Sequence, residues 1–69
     1  MITLFRDELR IEATAVPEPD GFCCVTAEVY AGKRMLRGYY RRVHVPPGGY
    51  RDAELEVAED VARMSGEAE

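Results

Sequence analysis

The side chains best suited to chemistry lie in one basic and aromatic stretch in the middle of the chain. Residues 33–42 read KRMLRGYYRR, with five basic residues and two tyrosines. Tyrosine rings stack on unpaired bases and arginines bind phosphates, so this composition is typical of surfaces that bind single-stranded nucleic acid. Together with a tyrosine of the preceding segment, the stretch supplies a candidate binding surface: Tyr30, Arg37, Tyr39, Tyr40, Arg41 and Arg42.

The distribution of charge weighs against a nucleic-acid partner. The 69 residues have a net charge of −4, whereas phosphate binders gain affinity from an excess of basic residues. Residues 33–51 carry +6, between residues 1–32 with −4 and residues 52–69 with −6. A basic block flanked by two acidic ones can pair within the molecule, for example with Glu12 and Glu28 across strands. We therefore expect nucleic-acid binding to be disfavoured.

Two cysteines and one histidine are the other reactive side chains. Cys23 and Cys24 are adjacent in a predicted strand, which places one thiol in the core and the other on a semi-exposed face. With His44 they make three soft ligands without the spacing of a zinc site. His44 has no serine to activate except Ser65 near the C-terminus. The sequence therefore predicts no metal, no cofactor and no catalytic residue, and we expect the protein not to be an enzyme.

A proline- and glycine-containing loop precedes the last segment. Gly48 and Gly49 lie just before a predicted helix with Arg51 beside them, and this makes them a candidate anion site, because the N–H groups at a helix N-terminus attract anions. The loop lacks the lysine of a phosphate-binding loop and the spacing of a proline-rich ligand. A connector between strand and helix explains the loop fully, and an anion site is the alternative.

Alternating apolar and polar residues predict antiparallel strands ahead of this loop. One strand is predicted over residues 9–15, with residues 2–5 as an extension or short lead-in and residues 6–8 as a turn or bulge. A turn at residues 17–21 leads to a second strand over residues 23–30, and a turn at residues 31–34 leads to a third over residues 35–45. Gly38 predicts a bulge that switches the faces of the third strand.

An amphipathic helix is predicted from Ala53 to about Met64, with Asp52 as its N-cap. Glu54 alone falls inside the apolar arc, in the first turn, where a carboxylate can reach water. The predicted fold class is therefore α+β, a three-stranded antiparallel β-meander with one C-terminal amphipathic helix packed on one face. We expect one β-β-β-α domain over residues 1–64 and a frayed tail over residues 65–69.

Three segments resemble small bacterial proteins of unknown function. They are FRDELRI at residues 5–11, PDGF at residues 19–22, and PGGY at residues 47–50 before an alanine-rich helix. In that group an aromatic-Arg-Gly segment opens a strand, and Asp7 stands here at the glycine position. The group's aromatic residue at the end of the helix is missing here. The resemblance implies a β-β-β-α fold and a bacterial, cytoplasmic protein, and it implies no functional residues.

Size and composition narrow the expected function. A chain of 69 residues buries only about 60% of its unfolded surface, which leaves no room for a second domain or a deep pocket. No apolar run approaches the roughly 20 residues of a membrane span, so we expect no membrane partner. We expect a small non-enzymatic interaction module that uses its open sheet face, as a homodimer or with another protein. Nucleic-acid binding through the third strand is the alternative.

Overall fold

Four strands and one helix make up the fold in a computed structural model that describes residues 1–67, with side chains up to residue 65. Each strand pairs antiparallel with the next, and the helix packs on one face of the sheet. The predicted α+β class, with one antiparallel sheet and a C-terminal helix, is therefore confirmed. The elements are β1 (Ile2–Arg6), β2 (Leu9–Pro17), a single 3-10 turn (Pro19–Gly21), β3 (Phe22–Ala31), β4 (Arg34–His44) and α1 (Tyr50–Glu67).

The prediction of three strands is wrong, because residues 2–6 form a strand of their own. Asp7 and Glu8 make a two-residue turn that is closed by the pairing of Arg6 with Leu9. Asp7 has a φ of +55°, a left-handed conformation that glycine adopts most easily. The turn lies within residues 6–8, where the sequence predicts a turn or bulge, but residues 2–5 form a paired strand and not an extension or lead-in.

The core lies between α1 and one face of the sheet, and it is built from small side chains. Residues that alternate along β2 and β3 face the helix and are buried, as are the residues on the inner arc of α1. Alanines on both sides let the helix axis approach the sheet closely. The buried residues are Ile11, Ala13, Cys23, Val25, Ala27, Val29, Ala53, Val57, Ala58, Val61 and Ala62.

The bulge in β4 lies closer to the turn than predicted. Val29 pairs with Arg37 and Tyr30 pairs with Met35, so the extra residue is Leu36. Gly38 pairs regularly with Glu28, and the prediction of a bulge at Gly38 is wrong. A Cβ atom at Gly38 would lie 3.3 Å from the Met35 Cε, so the missing side chain makes room for Met35 instead.

The helix is longer than predicted at both ends. It begins at Tyr50 and runs to Glu67, so Asp52 lies in its first turn and is not the N-cap. Three of the residues predicted as a frayed tail, 65–67, continue the helix, and residues 68 and 69 lie outside the described residues. Leu55, at the margin of the apolar arc, is exposed.

Glu54 is the buried carboxylate of the fold, although the sequence predicts that it reaches water. The residue is only 6% exposed, and its Oε2 accepts the backbone N–H of Ala15 at 2.7 Å. The α-amino nitrogen of Met1 lies 3.3 Å from the same oxygen. Because Ile2 pairs with Ala13, Ala15 lies beyond the start of β1 and has no strand partner on that side. Glu54 takes the place of that partner.

We expect Glu54→Ala to lower the free energy of unfolding by about 1–3 kcal/mol, because it leaves the Ala15 N–H without an acceptor. Urea unfolding followed by circular dichroism measures this loss. Glu56→Ala, on the exposed side of the same helix, is the matched control and should change stability by no more than about 0.5 kcal/mol. Equal losses in the two variants would contradict the role assigned to Glu54.

We expect Asp7→Gly to raise the free energy of unfolding by about 0.5–1 kcal/mol, since it relieves a left-handed conformation at a residue with a side chain. Glu8→Gly is the control, because φ at Glu8 is not positive. It should lower stability by about 0.5 kcal/mol through the added freedom of the unfolded chain. Thermal unfolding of both variants checks the difference in sign.

Candidate interaction surface

The face of the sheet opposite α1 is not covered by any other element of the described chain, and we call it the open face. The alternation of the strands places on it the residues between the buried ones of β2 and β3. Four large apolar or aromatic side chains project from it with high exposure: Phe5 73%, Tyr40 71%, Val16 53% and Met35 49%. A surface of this kind is typical of an interface.

The six residues of the predicted binding surface do not share one face. Tyr30, Tyr40 and Arg42 lie on the open face, in register with Arg10, Thr26 and Cys24 of the neighbouring strands.

The other three, Arg37, Tyr39 and Arg41, alternate with them and lie on the side of the helix, opposite the buried Val29, Ala27 and Val25. Arg41 reaches across to α1, where its Nη1 donates to Asp60 Oδ2 at 2.8 Å. The stretch Tyr39–Arg42 is thus divided by the two-residue period of the strand.

Glu18 organises one end of the open face from the loop between β2 and β3. Its Oε1 accepts the Nε–H of Arg42 at 2.8 Å, and its Oε2 accepts the thiol of Cys24 at 2.7 Å. Tyr40 Oη lies 2.9 Å from the same sulfur. We call Glu18, Cys24, Tyr40 and Arg42 the Glu18 cluster.

Two aromatic rings extend the Glu18 cluster toward the end of β4. The Arg42 guanidinium lies 3.9 Å from the centre of the Phe22 ring, a cation–π contact. The rings of Phe22 and His44 have their centres 4.0 Å apart. His44 therefore packs on an aromatic ring, and the sequence offers no signal for this because Phe22 is 22 positions away along the chain.

The electrostatics of the Glu18 cluster favour a charged carboxylate. The hydrogen bonds from Cys24 and Arg42 hold the pKa of Glu18 below its ordinary value. The pKa of Tyr40 is raised, chiefly by its hydrogen bond with Cys24. The negative charges of Cys24 and Glu18 raise it further. These side chains fix one another, and they leave Glu18 ionised and Tyr40 neutral at neutral pH.

A second polar group lies at the opposite end of the open face. The Arg10 guanidinium lies 4.6 Å from the centre of the Tyr30 ring, and Arg10 Nε lies 3.0 Å from Glu12 Oε2. Glu12 stands directly opposite Glu28. Burial raises the pKa of Tyr30, and the charges of Glu28 and Glu12 raise it further.

The predicted pairing of β4 with Glu12 and Glu28 is wrong. Arg41 pairs with Asp60 and Arg42 pairs with Glu18 instead.

The two cysteines point to opposite faces, as predicted, but neither is semi-exposed. Cys23 is completely buried under α1, and burial raises its pKa. Cys24 is 6% exposed because Glu18 and Tyr40 cover it. Both are free thiols.

A carboxylate of the chain lies against the loop that holds the candidate anion site at Gly48, Gly49 and Arg51. An ideal Cβ on Gly48 would overlap the Asp52 carboxylate, so Asp52 lies against the loop where an anion would bind. The Gly49 N–H donates to the Pro46 carbonyl at 2.9 Å and is not free to bind a ligand. The loop acts as a connector.

No family model, curated protein or solved structure matches the chain. The resemblance to small bacterial proteins therefore stays a prediction. Within the described residues, no three histidine, cysteine or acidic side chains come together as metal ligands would. The helix that is described is not long and apolar enough to cross a membrane.

We expect the stability of the protein to fall in acid, with Glu18 and Asp60 responsible for part of the loss. Hydrogen bonds from Arg41 and Arg63 hold the pKa of Asp60 below its ordinary value, as Cys24 and Arg42 do for Glu18. Since both folded pKa values lie below the unfolded ones of about 3.9–4.3, the contribution is complete above about pH 5. It is lost as the pH falls through the folded values.

Urea unfolding at pH 7 and at pH 3 measures this effect. Glu18→Gln and Asp60→Asn should each reduce the difference in stability between the two pH values. Glu56→Gln, on the exposed side of α1, should show nearly the same difference in stability between the two pH values as the unchanged protein. A Glu18→Gln variant with the full pH dependence would show that the Glu18 cluster does not act as described.

Proposed function

We propose that the protein is a small, non-enzymatic interaction module that self-associates through its open face. The observation that carries this proposal is the exposure of Phe5, Val16, Met35 and Tyr40 on one uncovered face of the sheet. A 69-residue chain with a core of small side chains gains stability when such a face is buried in a dimer.

The dimensions of the open face suit a small interface. Four strands spaced about 4.8 Å apart and about 30 Å long give a face of roughly 500 Å². Stable interfaces bury about 800 Å² on each partner, and transient ones bury less. We therefore expect association of the weak, reversible class.

The charges on the open face suit a second copy of the same chain. Arg10 and Arg42 are positive, and Glu12, Glu18 and Glu28 are negative. Glu28 makes no ion pair within the described residues. A surface that carries both signs can be complementary to itself across a two-fold axis.

A nucleic-acid partner has less support. The open face mixes acidic residues with its arginines, and Glu12 and Glu28 lie next to each other in the middle of it. Two arginines of the predicted surface, Arg37 and Arg41, lie on the side of the helix. Phosphates bind where positive charge is concentrated, and the open face does not concentrate it.

Light scattering across a dilution series from about 10 µM to about 1 mM tests the proposal. We expect the mass to rise from that of a 7.8 kDa monomer toward twice that value. Phe5→Ser and Met35→Ser should each weaken the dimer by about tenfold, a loss of about 1.4 kcal/mol.

Leu55→Ser is the matched control, because Leu55 is an apolar side chain that is 41% exposed on the helix. It should leave the dimer unchanged. A monomeric mass over the whole series would refute self-association, and so would an equal effect of Leu55→Ser. Tight binding of a single-stranded oligonucleotide at low salt, lost in Arg42→Ala, would favour the alternative function instead.

A further inference from the structure

The outer edge of β4 has no partner strand within the described chain. β4 is the last strand in the sheet order and its longest, with 11 residues. It contains no proline, which is one of the residues that blocks an edge. The edge therefore offers a long row of backbone groups to another strand.

Two hydrogen bonds show which backbone groups point outward. The Ala15 N–H donates to Glu54, away from β3. In an antiparallel sheet, the N–H and C=O groups of one residue point to the same side of the strand, and that side alternates along the strand. Val25, which lies opposite Ala15, therefore directs its N–H and C=O toward β4. Arg41, which lies opposite Val25, directs its N–H and C=O toward β3. The bond from the Val45 N–H to the Gly21 carbonyl at 2.8 Å agrees with this alternation.

The residues that direct N–H and C=O groups away from the sheet are therefore Gly38, Tyr40, Arg42 and His44. Their side chains belong to the open face, while those of the residues between them lie on the side of α1. On the opposite edge of the sheet, the same reasoning leaves only Thr3 and Phe5 pointing outward, because β1 has five residues. β4 is thus the edge better able to accept a strand.

The charge of β4 has a single sign. The strand carries four arginines and no acidic residue. Arg41 and Arg42 pair with Asp60 and Glu18. Arg34 and Arg37 are exposed and make no ion pair within the described residues.

The same charge argues against a second copy as the occupant of this edge. Pairing of two β4 strands would bring together eight arginines with no acidic residue on either strand, and like charges on neighbouring strands are destabilising. An incoming strand with acidic residues meets the opposite condition, since its carboxylates can lie beside Arg34 and Arg37, the arginines of β4 that make no ion pair within the described residues.

We propose that the outer edge of β4 is a docking site for an extended, acidic protein segment, which joins the sheet as a fifth strand. Its backbone pairs with the outward groups of Gly38, Tyr40, Arg42 and His44. A carboxylate on the face toward α1 lies beside Arg37, which is exposed and makes no ion pair within the described residues. The site is separate from the self-association proposed above, which uses side chains of the open face.

Three synthetic peptides, each acetylated and amidated, test this proposal by NMR titration of the labelled protein. TEVEVET alternates acidic and β-branched residues. TKVKVKT reverses its charge, and TEPEPET keeps the charge but cannot form a ladder of hydrogen bonds. We expect TEVEVET to bind at least about tenfold more tightly than either of the others.

Amide hydrogen exchange reports the backbone contact directly. In the free protein, the amides of Tyr40 and Arg42 should exchange quickly, while those of Arg41 and Val43 are protected by β3. With TEVEVET, the first two should become protected. Arg37→Ser should weaken binding of TEVEVET by about threefold to tenfold, and Arg51→Ser, an exposed arginine on α1, should not.

Several results would overturn the proposal. Equal binding of TEPEPET would mean that charge alone is recognised, and unchanged exchange at Tyr40 and Arg42 would exclude an added strand. An oligonucleotide that shifts the β4 resonances and displaces TEVEVET would assign the edge to nucleic acid. The open-face variant Phe5→Ser should still bind TEVEVET, so a failure of self-association and a failure of edge docking are distinguishable.

Discussion

The close packing of α1 on the sheet is the contact on which the other features depend. Alanines face each other across this layer, with Ala13 and Ala27 on the strands and Ala53, Ala58 and Ala62 on the helix. Their small size lets one helix lie close to the sheet, and the helix packs mainly on β2. A single helix is too narrow to cover four strands, so the side of β4 nearest to it is only partly covered. The opposite face is left without a cover from the described chain.

Much of the fold could be predicted because β2 and β3 follow a period of two. The alternation over β2 and β3 predicts their faces, and the turns at residues 18–21 and 32–33 are marked by Asp-Gly and Gly-Lys. The extra strand could not be predicted, because the turn at Asp7 is held in a left-handed conformation by the pairing of β1 with β2. Aspartate tolerates that conformation, but Asp-Glu is not one of the dipeptides that commonly mark a hairpin turn.

The candidate site could be predicted only in part, for a similar reason. The sequence identifies the basic and aromatic residues of β4, but their faces depend on where the bulge lies. The two-residue period separates Arg41 from Arg42, and the register with β3 decides that Arg41 lies on the side of α1 and Arg42 on the open face. Glu18 and Phe22 come from a turn and the strand after it, and only the register of β3 and β4 brings them to Arg42. Burial of Glu54 likewise depends on the N–H of Ala15, which has no strand partner because β1 begins at Ile2.

The charge blocks of the sequence acquire a physical meaning once this register is known. The basic block becomes an edge strand between an acidic helix on one side and the acidic loop residue Glu18 on the other. Arg41 and Arg42 are neutralised within the molecule, one on each face, so the remaining positive charge of β4 lies at Arg34 and Arg37. A net charge of −4 for the whole chain is therefore compatible with a local surface that attracts acidic groups.

The two proposed contacts meet at Tyr40 and Arg42, which contribute side chains to the open face and backbone groups to the free edge. A fifth strand on β4 would widen the open face by about 4.8 Å, since its own side chains alternate between the same two faces. A fifth strand with apolar side chains next to Tyr40 and Met35 would also bury more apolar surface. Docking at the edge and association through the face would then strengthen each other, because a wider face buries more area between two copies.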